Sequence, residues 1–320
     1  MTEFELIARY FWRPRQSAII GNGDDCAVIA PTAGTAFAVT TDTLIEGRHF
    51  LPTIHPFKLG RRVVHVNLSD LAAMGANPRY ALLSLTLPSI DDGWIAKFSE
   101  GMWSALDQFE VELIGGNTTR GSLAIALTAM GELPPDVALL RSGAKAGDEL
   151  WVSGSLGDAG WALYSMMGEN KTEASAAQIA KYECPEARVA LGVALRGVAT
   201  SCIDVSDGLL SEAAHLAHAS AVMIDISFAA IPTTLTEQLA STEYAARAAH
   251  CLLSTGDAYE LLFTAPAEQH AAVAQLLRAQ GLDGACIGRV TAADPAAKVR
   301  VLDAQSRPME IEIKGWDHFA

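Results

Sequence analysis

The sequence predicts two domains that each combine helices and strands, the α+β class. The chain has 320 residues, of which 50% are hydrophobic and 19% charged, so it can form two cores of ordinary size. Segments typical of strands and segments typical of helices are mixed in both halves. Proline and glycine cluster between Leu133 and Gly147, between two apolar strands. We therefore expect one domain at residues 1–140 and a second at residues 141–320.

In the first half, apolar residues recur at helical spacing over residues 3–12 and 94–109, which predicts two helices. A valine-rich run ending at Val66 predicts a strand that leads into a helix starting at Asn67 and stopping at Gly75. Residues 43–51 are expected to form a loop. Other apolar runs predict strands at residues 36–41, 81–87, 111–114 and 123–130.

The same patterns predict the elements of the second half. Helices are expected at residues 187–198, 209–219, 235–249 and 270–280. Strands are expected at residues 149–153, 202–205, 222–226, 259–264, 285–290, 299–302 and 309–313.

Charge and cysteine content exclude several classes of partner. The net charge is −14, from 37 acidic and 23 basic residues, and no basic run occurs, so nucleic acid and anionic membranes are poor partners. No segment predicts a membrane span, and residues 1–15 lack the apolar core of a signal peptide. The five cysteines are widely spaced without a zinc pattern, which is typical of a reducing compartment. We expect a cytoplasmic protein.

Acidic side chains recur at turns and strand ends, and together they indicate a metal site. They include Asp25, Asp42, Asp70, Asp204 and Asp207. Asp70 falls in the expected first turn of a helix, where the positive end of the helix favours a carboxylate. Each of these residues alone is equally well explained as a cap or a turn residue. Two carboxylates about 4 Å apart repel by roughly 4 kcal/mol at an effective dielectric constant near 20, so a cluster requires a cation.

The segment Gly115–Gly121 is the best candidate for anion binding. Its glycines allow backbone N–H groups to converge on phosphate oxygens, and its threonines and arginine add donors. A plain turn between strands is the alternative. No P-loop, dinucleotide fingerprint or protein-kinase signature occurs, so any nucleotide site would belong to another fold.

Two further segments allow both a functional and a structural interpretation. Asp204–Gly208 ends a strand and opens a helix, which suits a metal–phosphate site or an ordinary cap by Ser206 or Asp207. His49 lies in the loop after Asp42, where it is either a substrate contact or a structural histidine.

Nine short segments, in the right order along nearly the whole chain, resemble the thiamine-monophosphate kinase family. Each segment alone is weak evidence for the resemblance, but the ordered set of segments is specific to the family. The resemblance implies the two-domain α+β fold of the aminoimidazole-ribonucleotide-synthetase-like ATP-binding superfamily, with the N-terminal sheets of two subunits pairing into a dimer barrel. The segments are Gly23–Asp25, Thr40–Leu44, Glu46–Phe50, Val66–Gly75, Gly115–Gly121, Arg141–Gly143, Ser206–Leu209, Tyr259–Leu261 and Gly315–Phe319.

The resemblance implies ATP-dependent phosphorylation of thiamine monophosphate to thiamine diphosphate, with several Mg²⁺ ions, by a homodimer. The implied metal ligands are Asp25, Thr40, Thr41, Asp42, Asp70, Asn117, Asp204 and Asp207, of which Asp42, Asp70 and Asp207 would act in catalysis. ATP would contact Gly116, Asn117, Arg141 and Ser206, and the thiamine substrate would contact His49, Asp257 and Trp316. The substrate phosphate is already an anionic nucleophile, so direct in-line transfer requires charge neutralisation rather than a strong base.

Two segments depart from the family pattern. Asn117 stands where the family has aspartate, and the family's Gly-Gly-Glu-Asp-Tyr-Glu-Leu is replaced by the sequence of Thr255–Leu261. Asp257 stands where the family has glutamate, so that carboxylate is on a shorter side chain. Ala258 stands where the family has aspartate, so that carboxylate is absent. Two alternatives stay open: an ATP-dependent ligase or kinase of the same fold with another acceptor, and a protein that binds ATP or thiamine phosphates without turnover.

Overall fold

A computed structural model describes residues 2–14, 16–294 and 298–310. These residues form two structural units. The first contains the described residues up to Leu71 together with Ala76–Asp136, and the second contains Ala72–Gly75 and the described residues from Val137 onward. Every helix in the described part of the chain is too short or too polar to span a bilayer.

The first unit contains three helices and four strands. Helix α1 continues as a π-helical turn at Ile7–Phe11. The elements in chain order are α1 (Glu3–Leu6), β1 (Ala36–Ile45), α2 (Pro56–Ala73), β2 (Asn77–Leu87), α3 (Asp92–Gln108), β3 (Glu112–Arg120) and β4 (Ala124–Leu133). The predicted helix 94–109 and the predicted strands 81–87 and 123–130 are confirmed.

The four strands form one sheet in the order β1–β4–β2–β3, with β1 and β3 at opposite edges. Strand β4 is antiparallel to both neighbours, and β2 and β3 are parallel. One face is buried and carries residues such as Leu85, Ile125 and Leu127. The other face carries Val39 and Ile45, which are 62% and 43% exposed. One side of the sheet is therefore covered, and the other side is exposed at Val39 and Ile45 but packs against Ala18, Ala27 and Ile29 around Tyr80.

Helix α2 corrects the prediction of a strand that ends at Val66. It is one continuous helix from Pro56 to Ala73, and Gly75 lies just beyond it with a positive φ of 67°. Nearly all sides of the helix are buried, including Val63, Leu68 and the polar Asn67. Burial therefore overrides the weak preference of valine for strands.

Two other predictions about site segments were wrong. Strand β1 extends to Ile45, so Asp42 lies inside a strand, and residues 43–45 are not a loop. Residues 115–120 continue strand β3 beside β2 instead of forming a loop. A Cβ atom on Gly116 would overlap the carbonyl oxygen of Leu83 in that neighbouring strand, so glycine is required there by close packing of the backbone.

The second unit is built on a six-stranded sheet in the order β10–β7–β9–β5–β8–β6. All neighbouring pairs are antiparallel except β10 and β7. Its strands are β5 (Glu149–Val152), β6 (Ser201–Asp204), β7 (Met223–Ser227), β8 (Leu261–Ala265), β9 (Ala285–Thr291) and β10 (Val299–Leu302). Its helices are α4 (Asp158–Met166), α5 (Ala176–Glu183), α6 (Val189–Ala194), α7 (Leu209–Ser220), α8 (Thr236–Ala240), α9 (Ala245–Ser254) and α10 (His270–Ala279).

The second unit agrees with the predicted strands more closely than with the predicted helices. The single helix expected at residues 235–249 is two helices, α8 and α9, and helices α4 and α5 were not predicted. Most of the strand expected at residues 309–313 lies outside the described residues.

Candidate functional site

A cleft of 1110 Å³ opens beside the β3 edge of the first unit. The N-terminal helical segment, residues 21–27 and strands β2, β3 and β4 line it. Three of the predicted site residues, Asp25, Gly116 and Asn117, lie in this lining. The side chain of Asn22 donates to the carbonyl oxygen of Leu113 in β3 at 3.2 Å and so holds the acidic turn against that edge.

The cleft has a polar part and an apolar part. Its polar lining includes Asp24, Ser84, Asn117, Thr118 and Thr128, and its apolar lining includes Phe4, Phe11, Trp12, Leu82 and Met130. This combination suits a ligand with one charged and one aromatic portion, such as a nucleotide.

A second group of predicted residues lies on the buried face of the sheet, where β1 contacts α2. Thr40 donates its hydroxyl to Asp70 Oδ2 at 2.5 Å. The backbone N–H of Asp42 donates to Asn67 Oδ1 at 2.9 Å, and Asn67 Nδ2 donates to the carbonyl oxygen of Val63 at 2.8 Å. Thr40, Asp42 and Asp70 are thus held together by bonds between one strand and one helix.

The position of Asp70 corrects the helix-dipole argument. Asp70 lies in the last turn of α2 rather than the first. The end of a helix is its negative end, which disfavours a carboxylate. Asp70 is therefore not explained as a residue that stabilises the helix, and a nearby cation would relieve the unfavourable charge.

Thr41 lies on the opposite face of β1 from Thr40 and Asp42, because successive side chains alternate along a strand. Its hydroxyl donates to the carbonyl oxygen of Leu127 at 3.2 Å and accepts from Thr128 at 3.1 Å. Thr128 also lines the cleft, so Thr41 is connected to the cleft rather than to Asp70.

His49 is fixed by the turn that follows β1. Its Nδ1 accepts the backbone N–H of Ile45 at 3.0 Å, so in the neutral ring Nε2 carries the proton and is a hydrogen-bond donor. Arg62, which is 1% exposed, donates to the carbonyl oxygen of His49 at 3.1 Å. Arg62 was not predicted to belong to the site, because nothing in the sequence showed that α2 begins before it.

In the second unit, Asp204 is the last residue of β6, and Gly208, with a positive φ of 114°, precedes α7. The N-cap of α7 is Gly208, and no side chain of the described residues bonds to that cap, so the alternative that Ser206 or Asp207 is an ordinary helix cap is not supported. The buried Glu212 accepts the backbone N–H of Asp207 at 3.2 Å.

Glu212 is a candidate that sequence reasoning missed. Burial, with added repulsion from Asp204 and Asp207, raises the pKa of its carboxyl group to about 8, and the positive charge of Arg141 opposes that rise. The four side chains therefore share one electrostatic environment. The sequence signal was weak, because a glutamate in the first turn of a helix usually stabilises that helix end.

The loop between α9 and β8 carries Asp257, which has a positive φ of 66°. Its backbone N–H donates to the carbonyl oxygen of Ser206 at 2.9 Å, and the N–H of Tyr259 donates to that of Val205 at 2.8 Å. The hydroxyl of Tyr259 also donates to Asp257 Oδ1 at 3.3 Å. The loop that carries Asp257 is thus bound directly to the loop that carries Ser206. Trp316 lies outside the described residues.

The structure does not gather all the predicted metal ligands into one group. Among the described residues, no three His, Cys, Asp or Glu side chains are arranged to hold a metal ion. Asp42 on β1 and Asn117 on β3 are separated by β4 and β2, a distance of about 14 Å for three strand spacings. The donors that are present are carboxylate, hydroxyl and amide oxygens, which are the ligands that Mg²⁺ prefers.

Comparison with known proteins identifies the fold. Residues 23–133 match the family described as AIR synthase related protein, N-terminal domain, and residues 145–300 match its C-terminal domain. The chain therefore has the two-domain α+β fold of AIR-synthase-related proteins.

Similar proteins identify the family. The thiamine-monophosphate kinase of Escherichia coli (strain K12) is 40% identical over 326 residues, which cover 99% of this chain and 98% of the relative. The crystal structure of thiamine-monophosphate kinase from Stenotrophomonas maltophilia K279a is 39% identical, with a TM-score of 0.82 over 93% of this chain and 94% of that one. A structure described as AaThiL complexed with AMPPCP and TMP is 31% identical, with a TM-score of 0.76 over 93% and 91% of the two chains. The chain belongs to the thiamine-monophosphate kinase family.

Proposed function

We propose that this chain phosphorylates thiamine monophosphate, transferring the γ-phosphoryl group of ATP to the substrate phosphate and releasing thiamine diphosphate and ADP. The observation that carries the proposal is 40% identity over nearly the full length of an enzyme with that name. The similar structure with AMPPCP and TMP adds support, because AMPPCP is an ATP analogue that cannot transfer its terminal group.

We place ATP in the cleft of the first unit, within the domain assigned to residues 1–140. The apolar lining suits the base, and the polar lining at Gly116 and Asn117 suits the phosphates. Arg141 and Ser206, from the domain assigned to residues 141–320, are proposed as further contacts to ATP. His49, Asp257 and Trp316 are proposed to contact the thiamine substrate.

The oxygen donors fit Mg²⁺, and we propose that several ions bind to them. The ligands would be Asp25, Thr40, Thr41, Asp42, Asp70, Asn117, Asp204 and Asp207. Bound Mg²⁺ would neutralise the negative charge that builds up between the two phosphorylated substrates.

The residues of this chain contribute mainly orientation and charge. Thr40 holds the carboxylate of Asp70, and Asn67 holds the backbone of Asp42, so the Asp70 carboxylate and the strand that carries Asp42 are ordered before a ligand binds. The Nε2–H of His49 can donate to a substrate oxygen. A phosphate monoester has its second pKa near 6, so the attacking oxygen is already ionised at neutral pH, and no catalytic base is required.

We propose that the protein is a homodimer in which the open faces of two N-terminal sheets pair into a barrel. The support is the exposure of Val39 and Ile45 on that face, beside the small Ala126 of β4. Pairing could also bring the β3 edge of one subunit to the β1 edge of the other. Asp25 and Asn117 of one chain would then complete a site with Asp42 and Asp70 of its partner.

A cytoplasmic location is also proposed, because all five cysteines are free thiols.

The decisive experiment measures thiamine diphosphate formed from ATP and thiamine monophosphate, with and without Mg²⁺. We expect product only when all three are present. A parallel panel of acceptors with detection of ADP separates this function from that of a ligase or kinase of the same fold. Binding of both substrates by calorimetry, with no ADP released at any Mg²⁺ concentration, would instead identify a binding protein without turnover.

A further inference from the structure

The carboxylate of Glu260 is a heavily bonded buried charge in the second unit. It is 1% exposed, and Arg188 binds it in a bidentate manner through Nε at 2.8 Å and Nη2 at 2.6 Å. Lys181 Nζ lies at 3.2 Å, and the hydroxyl of Ser153 donates at 2.5 Å. Burial alone would raise the pKa of Glu260, but the bonds and charge of Arg188 and Lys181 lower it, so the group is ionised.

This cluster has no place in the proposed chemistry, yet it is directly attached to the site loops. The backbone carbonyl of Glu260 accepts the N–H of Val205 at 2.8 Å, and Tyr259 donates back to Val205. Three residues before Glu260 is Asp257, which donates its backbone N–H to Ser206. Glu260 is therefore the fixed end of the loop that carries Asp257.

The loop needs such an anchor because its backbone is unfavourable. Asp257 and Tyr259 both have positive φ angles, of 66° and 49°, although neither is glycine. Such conformations persist only where the surrounding structure enforces them. Arg188 supplies that constraint from outside the loop, since it lies immediately before α6.

We propose that Arg188 and Glu260 are positioning residues that hold the carboxylate of Asp257 in place for the thiamine substrate. This inference rests on the proposed function, because Asp257 is assigned to the substrate there. A charge-assisted bidentate pair is suited to this role, since it fixes direction as well as distance. Weakening it should leave ATP binding intact and impair the use of thiamine monophosphate.

The test is Arg188→Lys, which keeps the charge but loses the bidentate geometry. The matched control is Arg300→Lys, because Arg300 binds Asp225 in a bidentate manner at 2.7 and 2.8 Å at the opposite edge of the same sheet. Arg188→Lys should raise KM for thiamine monophosphate about tenfold and change KM for ATP less than about twofold. It should also accelerate amide hydrogen exchange at Asp257 and Tyr259. The control should change none of these quantities.

Unchanged exchange in the loop of Arg188→Lys would overturn the proposal, and so would faster exchange with an unchanged KM for thiamine monophosphate. Equal rises in both KM values would indicate general loosening and would also overturn it. If Arg188→Lys does not fold, Lys181→Met removes only the 3.2 Å contact and should give a smaller change in the same direction.

A wild-type chain that makes no thiamine diphosphate would refute the proposed function. Calorimetric binding of thiamine monophosphate, weakened by Arg188→Lys but not by Arg300→Lys, would then test the positioning role by itself.

Discussion

The two units hold their candidate site residues in different ways. In the first unit, Asp42 and Asp70 lie on a long strand and a long helix, and side chains of the same two elements orient them. In the second unit, Asp207 and Asp257 lie on loops that are held by backbone bonds to each other and by a buried ion pair. Regular elements fix the first set, whereas the second set depends on a few anchoring contacts. Substitutions of site residues in the first unit should therefore affect the chemical step, and substitutions in the second unit should affect the positions of the site loops.

The largest effect is expected for Asp70→Asn. The substitution removes one charge but keeps the size of the side chain and a hydrogen-bonding partner for Thr40. Loss of one preorganised charge-stabilising group should lower kcat by at least about 100-fold. Thermal unfolding should change little, because Asp70 is at the unfavourable end of its helix.

The control for Asp70→Asn is Asp136→Asn, which removes a carboxylate from an exposed turn of the same unit. Its kcat should equal that of the wild type. A wild-type rate for Asp70→Asn in the thiamine diphosphate assay would contradict the role assigned to Asp70.

A mixture of two inactive variants can test whether the first unit is complete within one chain. If each site combines Asp25 of one subunit with Asp70 of the other, a dimer of Asp25→Ala and Asp70→Ala chains contains one intact site and one doubly altered site. Random pairing makes half of the dimers mixed, so about a quarter of wild-type activity should return after subunit exchange. Light scattering on the mixture checks that it is dimeric.

No recovery after proven exchange of subunits would place Asp25 and Asp70 in the same site of one chain. A monomeric wild-type protein would remove the basis for the barrel. A mixture of Asp42→Ala and Asp70→Ala is the control, because β1 and α2 of one chain hold both residues, and it should stay inactive.

In the second unit, Gly256→Ala should separate the two site loops. A Cβ atom at Gly256 would overlap the carbonyl oxygen of Ser206, so one loop must move. Overpacking of this kind costs about 1–3 kcal/mol of the free energy of unfolding, and displacement of Asp257 should lower kcat/KM for thiamine monophosphate about tenfold. Steady-state kinetics and thermal unfolding measure both effects.

Gly93→Ala is the control for Gly256→Ala, because Gly93 lies in the first turn of α3 and a Cβ atom there meets nothing closer than 3.4 Å. It should be neutral or slightly stabilising, since alanine favours a helix. A Gly256→Ala enzyme with unchanged kinetics would show that the spacing of the two loops does not control substrate use.

The contrast between the units also explains what could be predicted from the sequence. Helix α3 was predictable because one face is apolar, whereas α2 was mistaken for a strand because Val63, Val64 and Val66 favour strands. Asp42 and Asp70 were predicted as metal ligands because they are carboxylates. Asp42, however, lies inside β1 and not after it, and Asp70 lies in the last turn of α2 and not in the first. Contacts between distant segments, such as the bond from the backbone N–H of Asp42 to Asn67, leave no local sequence pattern.

Gly116 shows how one residue can have two explanations. Its sequence context suggested a phosphate-binding turn, but the structure explains the glycine by close approach of β3 to β2. It still lines the cleft, so both explanations hold at one position. A sequence specifies that glycine is needed there without specifying why.

The smallest expected effect is that of Asn117→Asp, which restores the family's carboxylate in the cleft. Asp24 and Asp25 already line the cleft, so a further negative charge should help only when cations are bound. We expect the Mg²⁺ concentration for half-maximal activity to fall a few-fold, on the order of the gain from one added ligand charge. Thr119→Asp is the matched control, because Thr119 lies exposed on the same strand face outside the cleft lining. An equal shift in both variants would mean that general charge, and not a ligand at position 117, controls the response.

If the wild type proves inactive and Asn117→Asp alone makes thiamine diphosphate, then the cleft is a complete site that lacks one carboxylate, and the chain binds its substrates without turning them over.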